Sequence, residues 1–206
     1  MTLRRLLALS GILSVLLAIA GAIFASQGNS PDLSASGSTV LAFYVTNAST
    51  QMLGVILLTL AFAFFVAFSA FLRGWLRPTP VSEALSTLAL AGAAVELVGQ
   101  TLGGGITYAL ILSHSSMSAD AAQALNVLAG GLVLVPAIGL FTFGLAIGLA
   151  ILSTKLLPKW LGWAAIGIGI TVLTPVEGFS FLALALWMLT VSFLAWRRLG
   201  TQPATC

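Results

Sequence analysis

Long apolar stretches separated by short polar ones make up this chain. An apolar run of about 20 residues suits a helix rising about 1.5 Å per residue across roughly 30 Å of hydrocarbon. The pattern predicts six membrane-spanning helices over about 6–24, 52–72, 84–112, 121–152, 160–173 and 179–196, the fifth being the shortest. The intervening segment 25–51 starts polar, with Gly28, Asn29, Ser30 and Pro31, and turns apolar at Val40-Leu41-Ala42-Phe43-Tyr44. It predicts an outer loop whose later half is a short interfacial helix, with Tyr44 at headgroup depth. Thr79-Pro80-Val81-Ser82-Glu83 signals a helix start: a hydroxyl cap, proline just inside, and an acid in the first turn. Ser118 and Asp120, followed by Gln123, are expected to cap the fourth helix in the same way.

Composition places the chain in lipid. Its 206 residues are 59% hydrophobic and 6% charged, against about 25% charged in soluble domains. The eight basic residues form four pairs, each at the edge of an apolar run: Arg4 and Arg5, Arg73 and Arg77, Lys155 and Lys159, Arg197 and Arg198. Lys and Arg collect in cytoplasmic loops, so the fold class is an all-α, polytopic transmembrane helical bundle with six spans, both termini cytoplasmic, forming one domain. Trp75, Trp160, Trp163 and Trp196 stand beside these pairs as an interfacial belt, while Trp187 falls mid-span as a packing residue. The loops around Asp32, Asp120 and Glu177 then face outward. The net charge of +3 is an orientation signal rather than a nucleic-acid footprint, which would be denser and confined to one face. Arg4-Arg5 followed by an apolar stretch, with Ala20-Gly21-Ala22 as a small-residue cleavage site, also fits a signal peptide. The run exceeds the usual apolar region of about 7–15 residues, which favours an uncleaved first helix.

Candidate chemistry centres on the third span. Glu96 falls near the membrane centre, where a carboxylate must pair, reach water or carry a proton. Gln100 lies one turn on and on the same face. With Gly92, Gly99, Gly103 and Thr107 it makes a small, polar stripe that should face protein. Gly99 and Gly103 form one small-xxx-small packing pair, and Gly144 and Gly148 another. Asn126 and Tyr108, near the outer ends of their helices, are expected to extend a polar track from Glu96 outward. Pro136 is expected to kink the fourth span by removing a backbone hydrogen bond.

The inventory excludes several chemistries. His114 is the only histidine, so a bis-histidine haem is ruled out, and no lysine lies inside a span to carry retinal. No zinc ligand set, phosphate-binding glycine loop or catalytic triad is recognisable. No metal or cofactor is expected. Cys206 is the only cysteine and forms no intrachain disulfide.

Phe43-Tyr44-Val45-Thr46-Asn47, Phe71-Leu72-Arg73, Ala124-Leu125-Asn126 and Leu157-Pro158-Lys159-Trp160-Leu161-Gly162-Trp163 resemble landmarks of a family of uncharacterised bacterial six-helix integral membrane proteins, a domain of unknown function. The resemblance runs from about residue 40 onward and rests on turn and interface signals. It implies six spans and a bacterial plasma membrane, and no activity. Two functions are expected from the residues. One is small-molecule or ion handling through a polar intramembrane site at Glu96, Gln100, Asn126 and Tyr108. The other is a non-catalytic membrane scaffold or modulator of a partner protein. The expected partners are the lipid bilayer and either a small ligand or a membrane protein, with no nucleic acid.

Overall fold

A computed structural model describes residues 3–154, 156–174 and 177–200. Lys155 and Cys206 lie outside the described residues, as do the side chains of Arg4 and Glu177. The regular structure among the described residues is entirely helical: α1 Leu3–Ala25, α2 Gly37–Trp75, α3 Pro80–Ser113, α4 Ala119–Gly131, α5 Leu134–Thr154, α6 Lys159–Thr171 and α7 Glu177–Gly200. Five stretches are long and apolar enough to cross a membrane: α1, α2, α3, α4 with α5, and α7. In the most apolar part of each, only 33–39% is buried inside the protein. Most of the apolar surface therefore points outward, which a bilayer tolerates and water does not. The chain is a multi-pass membrane protein.

Three elements depart from the sequence pattern. The expected interfacial helix is not separate: α2 runs unbroken for 39 residues, about 58 Å. Ser36 caps it by accepting from the Thr39 amide. Its polar residues do not interrupt it, because they bond within their own turns, Thr46 to the Ala42 carbonyl at 2.9 Å and Asn47 to that of Phe43 at 3.0 Å. The fourth predicted helix is split at Leu132–Val133, upstream of Pro136. Pro136 has no N–H to offer the Leu132 carbonyl four residues back, and that carbonyl accepts from Val135 instead, at 3.0 Å. The fifth predicted span is α6, whose 13 residues reach only about 20 Å; it is not one of the five crossing stretches.

The helix starts follow their local chemistry. Thr79 and Ser82 form a reciprocal capping box, with Pro80 opening α3. Ser118 alone caps α4, accepting from the Ala121 amide, and Asp120 sits inside its first turn. Glu83 stands 4.0 Å from Arg73, with both side chains substantially exposed, so this pair adds little stability.

Packing is most extensive between α3 and α5 and between α1 and α2. Glycines set the closest approaches. Gly92 and Gly139 bring α3 and α5 together backbone to backbone, and Gly99 lies against Pro136. Gly144 and Gly148 seat α5 on α6 at Ala165, Gly169 and Gly162. Gly103 packs on nothing: a Cβ there would meet no atom within 4 Å. Near the bundle centre, Trp187 is edge-on to Phe68 and Phe143, and its Nε1 donates to the Leu161 carbonyl at 2.9 Å. Described basic residues gather at one end. Arg5 donates to the Leu199 carbonyl at 3.1 Å, Arg198 to the Leu156 carbonyl, and Arg77 lines a hollow with Leu7 and Leu199. Trp160 and Trp163 are exposed close to this end, next to Lys159.

Candidate functional site

Glu96 sits midway along α3 and is 1% exposed. The backbone of α5 presses on its own backbone, since a Cβ on Gly139 would overlap the Glu96 nitrogen. Glu96 also lines a cavity of about 300 Å³ shared with α1, α2 and α7. Oε1 accepts from Gln100 Nε2 at 3.2 Å. Oε2 has no hydrogen-bond partner; among the described residues only Ser192 Oγ shares that state. A buried oxygen left without a partner carries a desolvation cost of about 1–3 kcal/mol, more if charged.

The cavity walls are otherwise apolar. They include Val15, Ala18, Phe65, Ala185 and Met188. Ser14 is the second polar residue in the lining, and its hydroxyl donates to the Ala61 carbonyl at 2.8 Å. Among the described residues, no basic side chain lines the cavity.

Gln100 connects this site to a second cavity of about 220 Å³, lined by Gln51, Thr59, Gly103, Gly104 and Thr107. Gln51 is buried there and donates to the carbonyls of Ala25 and Gln27 at 3.0 and 3.3 Å. The open space beside Gly103 belongs to this cavity. Glu96 and Gln100 thus stand between an apolar cavity and a polar one.

Of the four residues expected to form the site, Glu96 and Gln100 come together. Asn126 is elsewhere, its Nδ2 donating to the Asp32 carbonyl at 2.9 Å and tying the 26–36 loop to α4. Tyr108 is exposed and lines neither cavity. Gln51, Thr59 and Ser14 were not singled out by the sequence. A polar residue inside an apolar run was the available signal, but nothing local places α1 and α2 beside Glu96. Asp32 has its own local arrangement: the Ser34 hydroxyl and amide both donate to it at 2.8 Å and hold its carboxyl below the usual value. Replacing Asn126 by alanine removes this tie and leaves the Asp32 carbonyl only the local Ala35 amide, at 3.2 Å. The expected result is a loss of about 1 kcal/mol and faster proteolysis within 26–36, checked by limited digestion in detergent. A loop cut no faster than in the parent protein would show that Asn126 is not what holds it.

Among the described residues, no cluster of three or more His, Cys, Asp or Glu side chains forms a metal site. Comparison with protein-family models, with curated proteins and with solved structures finds no match to this chain. Function therefore has to be argued from the site itself.

Proposed function

We propose that this protein handles a small molecule inside the bilayer, bound at Glu96 in the cavity between α1, α2, α3 and α7. One observation carries the reading: a carboxyl with a buried, unpartnered oxygen on the one acidic residue lining an otherwise largely apolar cavity. A volume of about 300 Å³ lies at the lower end of small-molecule sites, which pair apolar walls with a few placed polar groups. The walls speak against a bare metal cation. Hard cations take about six or more oxygen ligands, and this cavity offers the Glu96 carboxyl and one serine already engaged with a carbonyl.

The topology that goes with this reading has six crossings and both termini on the cytoplasmic side. The gathering of basic residues at one end supports it. So does the α6–α7 hairpin, in which the Thr171 and Ser180 hydroxyls meet at 2.9 Å at the end away from Leu156 and Arg198. The shortness of α6 is accommodated by local thinning of the bilayer or by snorkelling flanks. The resemblance alone speaks for a bacterial plasma membrane.

A second reading, a scaffold for a membrane partner, has one feature in its favour. An open apolar groove runs between α6 and α7, beside the exposed Trp160, Phe179 and Leu186. Lipid covers such a groove equally well, so this reading ranks below the first.

The test is chemical. Dicyclohexylcarbodiimide dissolves in lipid and modifies protonated carboxyls in apolar surroundings. In membranes it is expected to label Glu96, as mapped by mass spectrometry, while a membrane-impermeant carbodiimide is not. A folded protein whose Glu96 stays unmodified would show that the cavity does not admit molecules from the bilayer.

A further inference from the structure

The larger cavity opens sideways. Its floor is buried, at Val15, Phe65, Met188 and Glu96, whereas Ile19 of α1 and Leu182 of α7 are 52% and 62% exposed at its rim. Ile19 is near the end of α1 and Leu182 near the start of α7, both remote from Arg5 and Arg198. The mouth therefore faces hydrocarbon, in the half of the bilayer away from the basic end. A ligand that uses it arrives from the lipid phase.

The lining restricts what that ligand carries. Glu96, whose Oε2 has no hydrogen-bond partner, is the one residue of the lining with an unpartnered polar atom. The ligand accordingly has a single polar group at one end of an apolar body. Among the described residues, the site holds no Lys, Arg or His to balance a carboxylate. The described residues packed around Glu96 from α1, α2, α5 and α7 include no other titratable side chain: Ser14 on α1, Ala61 and Phe65 on α2, Gly139 on α5, Ala185 and Met188 on α7. Gln100, on the same helix, supplies one donor to Oε1 and no charge.

From this geometry we infer that the cavity binds a lipophilic amine, its nitrogen on Glu96 Oε2 and its hydrocarbon body against α1 and α7. This rests on the reading of the cavity as a small-molecule site. An amine meets the demand of Oε2 wherever the proton resides. The free base comes from the lipid and Glu96 begins as the acid. The carboxyl O–H then donates to nitrogen, or its proton passes to nitrogen and the ammonium N–H donates to the carboxylate. The O–H bond breaks as the N–H bond forms, and no co-reactant is needed. No net charge enters the hydrocarbon, and the pair is neutral overall in a medium where an isolated charge is expensive. An alcohol can share one hydrogen bond with the acid but is too weak a base to take its proton, so it gains no ion pair. A fatty acid brings a second acid to a site with no cation. A quaternary ammonium has neither an N–H nor a lone pair.

Competition on the unaltered full-length protein in liposomes tests this, with labelling of Glu96 by dicyclohexylcarbodiimide as the readout. N,N-dimethyldecylamine is the probe; as a tertiary amine it cannot itself be acylated. At about ten times its apparent Kd it is expected to slow labelling roughly tenfold. Decanol, decanoate and decyltrimethylammonium at equal membrane concentration are expected to protect far less. If decanol or the quaternary compound protects as well as the amine, or the amine does not protect while labelling proceeds normally, the amine assignment is overturned and the cavity reading stands. If Glu96 is never labelled in folded protein, the cavity reading fails and the amine assignment goes with it. In a Glu96→Gln variant, amine binding followed by native mass spectrometry should weaken roughly thirtyfold or more, as on removing one partner of a buried charge pair; undiminished binding would place the amine elsewhere.

Discussion

Gly139→Leu should abolish the folded bundle, while Gly103→Ala, on the helix that carries Glu96, should leave it intact or slightly more stable. The difference lies in what each new side chain meets. At Gly139 the first added carbon overlaps the Glu96 nitrogen and lies 2.9 Å from the Glu96 Cα and 2.8 Å from the Gly92 carbonyl oxygen. These are backbone atoms, so no rotamer change can make room. Overpacking costs about 1–3 kcal/mol when side chains can adjust, and more when they cannot. Leucine would force α3 and α5 apart along the most extensive helix contact in the protein, which also moves Glu96. Gly103 faces open space, and alanine in a helix interior gains up to about 1 kcal/mol over glycine. Yield of monodisperse protein and thermal melting in one detergent would compare the two. Normal yield and melting for Gly139→Leu would mean that the α3–α5 contact is not the one described.

The second large effect is expected at Trp187. Its ring meets Phe68 and Phe143 edge-on, and its Nε1 holds the Leu161 carbonyl near the start of α6. Trp187→Ala loses both, and a large-to-small core change of this kind costs about 3–5 kcal/mol. Trp187→Phe keeps most of the ring packing and removes one donor from the Leu161 carbonyl, which keeps its place in the α6 ladder, for a loss of about 1 kcal/mol. Melting temperatures should therefore fall in the order parent, Trp187→Phe, Trp187→Ala. Equal melting of all three would show that α6 is held without this residue. The hydrogen bond matters because α6 is too short to be fixed by its own span.

Much of the architecture is readable from local pattern. The apolar runs mark the crossing stretches, and Thr79-Pro80 and Ser118 mark two helix starts where caps are found. Pro136 announces a break, and the missing N–H displaces it upstream to Leu132–Val133. The continuity of α2 was less visible. Residues 37–51 are polar enough to suggest an interface, yet no breaker divides them from the apolar remainder of the helix. The pairing of Glu96 with Gln100 is a consequence of helical geometry, since residues four apart share a face. The pairing of Asn126 with the Asp32 carbonyl, 94 positions away, has no local signature.

Read alone, the amino acids specify a lipid-embedded helical chain with its cations gathered toward one side, and an acid with an amide one turn away inside the third long helix. They leave open which faces meet. Asn126 is drawn off to the loop, Gln51 is set beside the cavity that Gln100 lines, and Ser14, Phe65 and Met188 close around Glu96 only once the helices pack. The reason is the solvent. In water, an amphipathic stripe marks the face a helix buries. In hydrocarbon, the lipid-facing and protein-facing sides are both apolar, so that contrast disappears, and the partners are chosen by close backbone approach at residues such as Gly92, Gly99 and Gly139.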